Sequence, residues 1–544
     1  MRNRLIITAT ILLTLLASVY AADPVVAVVP KLKLPAMFTD HMVLQREFPV
    51  PVWGWAEADE EVTVTIADQT VTTKTGADGK WKLTLKPLTA VDSIEMVVKG
   101  KDQTITIKDV AVGEVWLASG QSNMCIRLKE DPTYQETLTL NSATGLAKFP
   151  GAGDSGIRQF SVQTPASWDA LDDVKGDWKL STTNPKIMGE FIAKSYYFAR
   201  ELRKSTGVPI GIIVAAVGGT PASTWTSPDG LAAADFPGVQ QHAEDYRKNR
   251  VIVKKWVSEE LAQYQRDLAQ AQKDKTPWPK YPVSPIPLPF DCNKPCMLFN
   301  GKIAPLQPFL IRGVIWSQGE NNKGAKHYRS LMSALIADWR KGWGNPDLPF
   351  LFVQVPNTGS EIREVQAQLA VDIPHTGMAV INDTCTADSC NHPKYKEPAG
   401  YRLALLARAL VYGEKIEYYG PVYDSMKIQA NKAILSFTHC GTGLVAKTAV
   451  DPTAKTLSRA ELGEGIPGTE KELKGFTIAG ADNKFLPAKA EIQGDTVVVS
   501  NDQVNDPKVV RYLWTLWPAL WTDTTLYNKE GIPASPFRTD VKKW

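Results

Sequence analysis

From about Val112 to residue 414, apolar runs alternate with amphipathic ones, and no other feature of the sequence restricts its fold as strongly. EVWLAS, IGIIVAAV, IRGVIWS and LPFLFVQV are apolar almost throughout, as strands covered on both faces must be. Between and after them stand SYYFARELRKSTG, SLMSALIADWRKGWG and GYRLALLARALVYG, each with helical periodicity, the first stopping at Gly207. Strands and helices taken in turn predict an α/β fold with a mainly parallel sheet flanked by helices.

Either side of this region the pattern changes. From about residue 33 to 112, VPVWGWA, EVTVTIA, TVTTKT, KWKLTLKP, SIEMVVKG and TITIKDV alternate apolar and polar residues between turn clusters, which predicts a small β-sandwich. Beyond 414, KAILSFTH, TVVVS and VVRYLWTL indicate a second β-rich region. A chain of 544 residues has room for more than one core. The expected organisation is an N-terminal β-sandwich domain over 23–111, an α/β domain over 112–414 and a C-terminal β-rich domain over 415–544. Residues 235–300 interrupt the α/β pattern, charged and helix-prone at first and then too rich in proline for a helix, as a solvated lid or arm would be.

The N-terminus runs from MRNR through LIITATILLTLLA to SVYAADP, which reads as a signal peptide over 1–22 cut after Ala21 or Ala22. Its apolar stretch is shorter than the roughly 20 residues that a bilayer span needs, so export is expected, to the outside or the periplasm, with no stable membrane anchor after cleavage. Basic residues number 61 and acidic residues 58, with no basic stripe among aromatics, which argues against nucleic acid as a partner. A small molecule or saccharide is expected instead, with no metal or cofactor. Among the six cysteines, Cys292 with Cys296 and Cys385 with Cys390 are spaced to close small loops, and an oxidising compartment favours disulfides over zinc; Cys125 and Cys440 remain as thiols.

Open α/β sheets bind ligands beyond the carboxyl ends of their strands. Three strands here deliver glycine and amide clusters to that rim: GQSNM after EVWLAS, GGT after IGIIVAAV, and QGENN after GVIWS. Ser122 in the first cluster needs a base to become nucleophilic. His392 is the best placed of six histidines, in the loop before the last helix of the α/β region, with Asp383 and Asp388 upstream. Trp116, Trp225 and Trp316 stand near the same rim, where they either stack on sugar rings or, as is commoner, pack in the core.

GQSNM, the GGT turn, WSQGENN, and HPKY ahead of YRLALLARALVYGEK together resemble the successive blocks of the SGNH-hydrolase superfamily, in particular the sialate O-acetylesterase family. LPAMFTDHMVLQRE and IPASPFRTD are similar to that family's terminal regions, so the resemblance spans nearly the whole mature chain. It implies a carbohydrate O-acetylesterase in which Ser122 attacks the acetyl carbonyl and His392 relays the proton. The oxyanion would meet the backbone N–H groups of Ser122 and Gly219 and a side-chain amide, Gln318 before Asn322. Asn123, Glu320 and Asn322 would contact substrate, although Asn123 also suits a helix cap and Glu320 a supporting ion pair. Many relatives carry an aspartate two residues before the histidine, a position held here by Cys390. Asp388 is the first choice for the acid that orients His392, with Asp383 or a backbone carbonyl as the alternatives. Acetylated xylan or another polysaccharide would suit the same machinery, and a non-catalytic sugar-binding protein is the reading from another class.

Overall fold

The computed structural model describes residues 32–140, 152–286, 292–356, 359–385, 390–447, 473–514 and 521–540. The expected signal peptide and Asp388 lie outside them. The chain first forms β1 (Val43–Gln45), β2 (Val50–Trp55), β3 (Glu61–Ile66), β4 (Gln69–Lys74), β5 (Lys80–Leu85) and β6 (Val91–Lys99). In β3 and β5 every second residue is buried, the signature of strands with one wet face.

The 17-residue β7 (Thr104–Gly120) then runs through two settings. Its first part pairs antiparallel with β6, and Ala111–Gly113 pair with β1. From Val110 onward it is wholly buried, and it becomes a middle strand of the central sheet. The junction holds a buried carboxylate, Glu114, which accepts from Arg46 Nε at 2.6 Å and Arg312 Nε at 2.7 Å. Burial alone would raise its pKa, but these two guanidinium groups hold it below the usual carboxylate range.

The central sheet is completed by β8 (Ile157–Ser161), β9 (Trp178–Leu180), β10 (Ile210–Ala216), β11 (Gly313–Ser317), β12 (Phe350–Val353) and β13 (Thr376–Ala379), in the order β13-β12-β11-β7-β10-β8-β9. Every pairing along this path is parallel except that of β8 with β9. Six helices matter for the site: α1 (Ala193–Thr206), α2 (Pro237–Trp256), α3 (Ala262–Asp274), α4 (Ala325–Gly342), α5 (Ser360–Asp372) and α6 (Glu397–Leu410). Alternate strand residues serve opposite layers. Trp116, Ala118, Ile212, Val214 and Ile315 pack with α1 and α6, whereas Val115, Leu117, Ile213, Val314 and Trp316 pack with α4 and α5. The fold is thus mixed α/β with helices on both faces of a mainly parallel sheet.

α2 buries Val239, Ala243, Tyr246 and Trp256 against the body, while α3 buries only Ala271. Beyond α6, two four-stranded antiparallel sheets enclose a core of their own that includes Leu435, Val497, Val499, Val510 and Tyr512. The C-terminal segment reaches back to the α/β layers through a bidentate pair from Arg538 to Glu364, at 2.8 and 2.9 Å.

Two expectations need correction. Trp116, Trp225 and Trp316 are 0 % exposed and pack in the core, so none offers a face to a sugar. The Cys292–Cys296 bridge is not made: Cys296 is fully buried, and its backbone N–H is tied to Ser223 O at 3.0 Å. Cys385 and Cys390 are joined, with Cα atoms 4.4 Å apart. Among the described residues no group of three or more His, Cys, Asp or Glu could hold a metal, and no helix is long and apolar enough to cross a membrane.

Candidate active site

β7 ends between β10 and β11, where the chain can leave the sheet edge toward either helical layer, and Ser122 follows directly. The turn depends on Gly120. Its φ of +128° favours glycine, and a Cβ there would lie 2.2 Å from Ser317 O, because Gln121 N bonds that same carbonyl of β11. A short 3₁₀ turn, Ser122–Met124, then lifts the serine clear of the sheet. Ser122 Oγ stands 2.8 Å from His392 Nε2, across 270 residues of sequence.

The turn after β10 lies alongside. A Cβ on Gly218 would sit 3.6 Å from Ser122 Cβ, an ordinary contact. Gly219 has open space around it, so its φ of +70°, rather than crowding, is what favours glycine there. Among the described residues neither the Ser122 nor the Gly219 backbone N–H has a protein acceptor. Asn321 Nδ2 steadies the turn by donating to Gly219 O at 2.6 Å.

The remaining expected site residues are arranged differently from one another. Gln318 is fully buried, and its amide nitrogen donates to both Thr220 O and Asn322 Oδ1, so neither hydrogen faces Ser122. Exchanging its nitrogen and oxygen would set an oxygen against two acceptors, which fixes this orientation. Asn322 Oδ1 also accepts from Ala222 N at 3.2 Å. Asn123 is 3 % exposed and turned into the protein, where Nδ2 donates to Glu320 Oε1 at 2.8 Å and to Asn391 O at 3.0 Å. Asp383 forms a bidentate pair with Arg402, at 2.7 and 2.6 Å. The other five histidines have their partners elsewhere: His41 with Asp109, His439 with Glu417, His375 with Asp347, and His242 with His327.

Beneath the Ser122 turn lies a buried polar group that the sequence did not bring to notice. Lys396 Nζ donates to Asn123 Oδ1 at 2.8 Å, and Lys194 Nζ donates to Ser317 Oγ at 2.7 Å. Asp131 accepts from Lys396 N at 2.9 Å and Tyr197 OH at 3.0 Å. Burial pushes Asp131 up to about 6. It pushes Lys396 down to about 8, against the pull of Asp131 and Glu320, and with the repulsion of Lys396 it pushes Lys194 down to about 7. The only sequence signal was that Lys396 sits in HPKYK, four residues after His392.

These lysines give stability a definite pH dependence. Lys302, donating to Val162 O at 2.9 Å, is also pushed down by burial, to about 8 from 10.5. Between the folded values near 7 to 8 and the unfolded value of 10.5, the unfolded chain binds more protons, so stability rises with pH. Above 9 the buried thiols Cys125 and Cys296, whose pKa values are raised, begin to act in the opposite sense. The melting temperature is therefore expected to climb between pH 7 and pH 9. Calorimetry at constant ionic strength checks this, and a flat or falling trend would contradict the buried ammonium groups.

The model of a carbohydrate esterase family, the sialic acid-specific acetylesterases, matches residues 298–397, which include QGENN and His392. The chain is 27 % identical to the sialate O-acetylesterase of Rattus norvegicus over 92 % of its length and 93 % of that protein. It is 26 % identical to that of Homo sapiens over 93 % of its length and 92 % of the relative. Among solved structures, a carbohydrate acetylesterase from Xanthomonas citri superposes with a TM-score of 0.73 at 32 % identity, covering 94 % of this chain and all of the other. Similarity that runs from the first strands to the last at this identity is inheritance of the whole architecture, so this chain belongs to the sialate O-acetylesterase family and is a carboxylic ester hydrolase.

Proposed function

We propose that this esterase is exported and removes O-acetyl groups from sugars, with Ser122 as nucleophile and His392 as its base. One observation carries the reading: the 2.8 Å contact of Ser122 Oγ with His392 Nε2, beside two backbone N–H groups without a protein acceptor. Neutral His392 takes the hydroxyl proton as Oγ adds to the acetyl carbonyl. The oxygen that gains charge is met by the N–H groups of Ser122 and Gly219, each donor of this kind contributing about 3 kcal/mol. The imidazolium then protonates the departing sugar oxygen, and water repeats the exchange on the acetyl-enzyme to release acetate. We retain Asp388 as the acid that orients His392, because Asp383 is engaged by Arg402.

The sugar itself has a place to sit. A cavity of about 390 Å³ beside the Gly219 turn is lined by Pro221, Ser223, His242, Asn321, Asn322 and His327. Asn322 is therefore the substrate contact kept from the sequence, whereas Asn123 and Glu320 act from behind. The names of the relatives favour O-acetylated sialic acids over acetylated xylan. The chain would divide at 23–111, 112–414 and 415–544, with β7 shared by the first two parts. Acetate release from a panel of acetylated sialic acids, simple acetylated sugars and acetylated xylan tests the substrate class. Release is expected from the sialic acids first, and release from none of the panel would overturn the sugar reading.

A further inference from the structure

His392 lies in a loop with neither helix nor strand, between the Cys385–Cys390 disulfide and the start of α6 at Glu397. Its side chain is exposed, so packing does not fix the imidazole. Yet a base must stand within a fraction of an ångström of its productive position, and a misplacement of about 1 Å costs roughly 100-fold in rate. Something must hold the loop.

The peptide carbonyls on both sides of His392 are held from one point. Asn123 Nδ2 donates to Asn391 O at 3.0 Å, and Lys396 Nζ donates to Pro393 O at 2.5 Å. The two holders are joined to each other, Lys396 Nζ to Asn123 Oδ1 at 2.8 Å. Asn123 is the residue next to Ser122, so whatever positions the nucleophile also positions the base. Glu320 Oε1 fixes the amide orientation by accepting from Asn123 Nδ2 at 2.8 Å, which leaves Asn123 Oδ1 toward the lysine. Asp131 anchors the far end through Lys396 N.

We propose that Asn123 and Lys396 are positioning residues that clamp both backbone flanks of His392 and so set the imidazole against Ser122. The proposal rests on the Ser122–His392 reading given above. An ammonium 3 % exposed is an expensive way to fill space, since a well-packed apolar chain of the same length does so without desolvating a charge. What the lysine adds is direction: it donates to two oxygens at once, one on each side of the gap between the nucleophile turn and the histidine loop.

Lys396→Met keeps the length of the side chain and removes its donors. The variant is expected to lose about 10- to 100-fold in kcat with KM within about two-fold. Labelling of Ser122 by a fluorophosphonate should slow by a similar factor, because that reaction needs the same base. Asn123→Asp keeps the acceptor for Lys396 but replaces the donor to Asn391 O and sets a carboxylate against Glu320, and it should show the same kcat-selective loss should the methionine variant fold poorly. Rates are referred to folded protein by active-site-independent circular dichroism. Wild-type kcat and labelling in folded Lys396→Met and Asn123→Asp would overturn the clamp, as would a change confined to KM. Undiminished activity in Ser122→Ala would instead overturn the reading beneath it, so the two failures are distinguishable.

Discussion

Ser122→Ala is expected to reduce acetate release by a factor on the order of 10⁴ to 10⁶ while leaving the fold intact. The size follows from what the hydroxyl does. Without Oγ there is no atom to form the acetyl-enzyme, and His392 has nothing at 2.8 Å to activate except an unpositioned water. Residual turnover should come only from binding and from the N–H groups of Ser122 and Gly219, which persist in the variant. Stability should change little, because Ser122 is partly exposed and its oxygen is bonded to nothing but the histidine among the described residues. The measurement is kcat on an acetylated sugar together with thermal unfolding of both proteins. Activity within ten-fold of the parent would remove Ser122 from the mechanism.

That Ser122 and His392 would meet was legible in the sequence, because histidine is scarce there and both residues follow strands of the α/β region. With six histidines in the chain, only one precedes a helix of the α/β region within a loop that also carries candidate acids. Strands β7, β10, β11 and β12 were legible for a related reason: burial on both faces leaves an uninterrupted apolar run. β8 escapes that reading because it contains Arg158, which is 2 % exposed and donates to the carbonyls of His41, Asp92 and Asp109. An arginine in a short run ordinarily marks a surface.

The roles of the amides were not legible. Whether Gln318 offers its hydrogens to a substrate depends on Thr220 O and Asn322 Oδ1, and only the folded backbone sets where those oxygens stand. The buried lysines were hidden for the same reason, more strongly. Lysine reads as solvated, and Ser317, which receives Lys194, and Asn123, one of the two acceptors of Lys396, lie 123 and 273 residues away in the chain. Local pattern thus reports which face of an element is dry, whereas the partner of a buried polar group is a property of topology.

Asp383→Ala is expected to cost stability far more than catalysis. Arg402 projects from α6 with 4 % of its side chain exposed, donating to both oxygens of Asp383 at 2.7 and 2.6 Å and to Val380 O at 2.8 Å. The pair ties α6 to the turn that follows β13. Removing the carboxylate leaves a guanidinium that cannot shed its charge in a site with little water, a loss of about 3–5 kcal/mol. For a unit of this size that lowers the melting temperature by roughly 5–10 °C. At temperatures where the variant remains folded, kcat should stay within a few-fold of the parent, since no bond between Asp383 and His392 is present. The opposite result, an unchanged melting temperature with kcat reduced about 10⁴-fold, is what loss of the acid behind the imidazole produces, and it would transfer that role to Asp383. A double variant, Asp383→Leu with Arg402→Met, separates the charge from the shape. If the single variant fails because a charge is stranded, removing both partners should recover much of the lost stability, because an apolar pair of similar volume carries no desolvation cost.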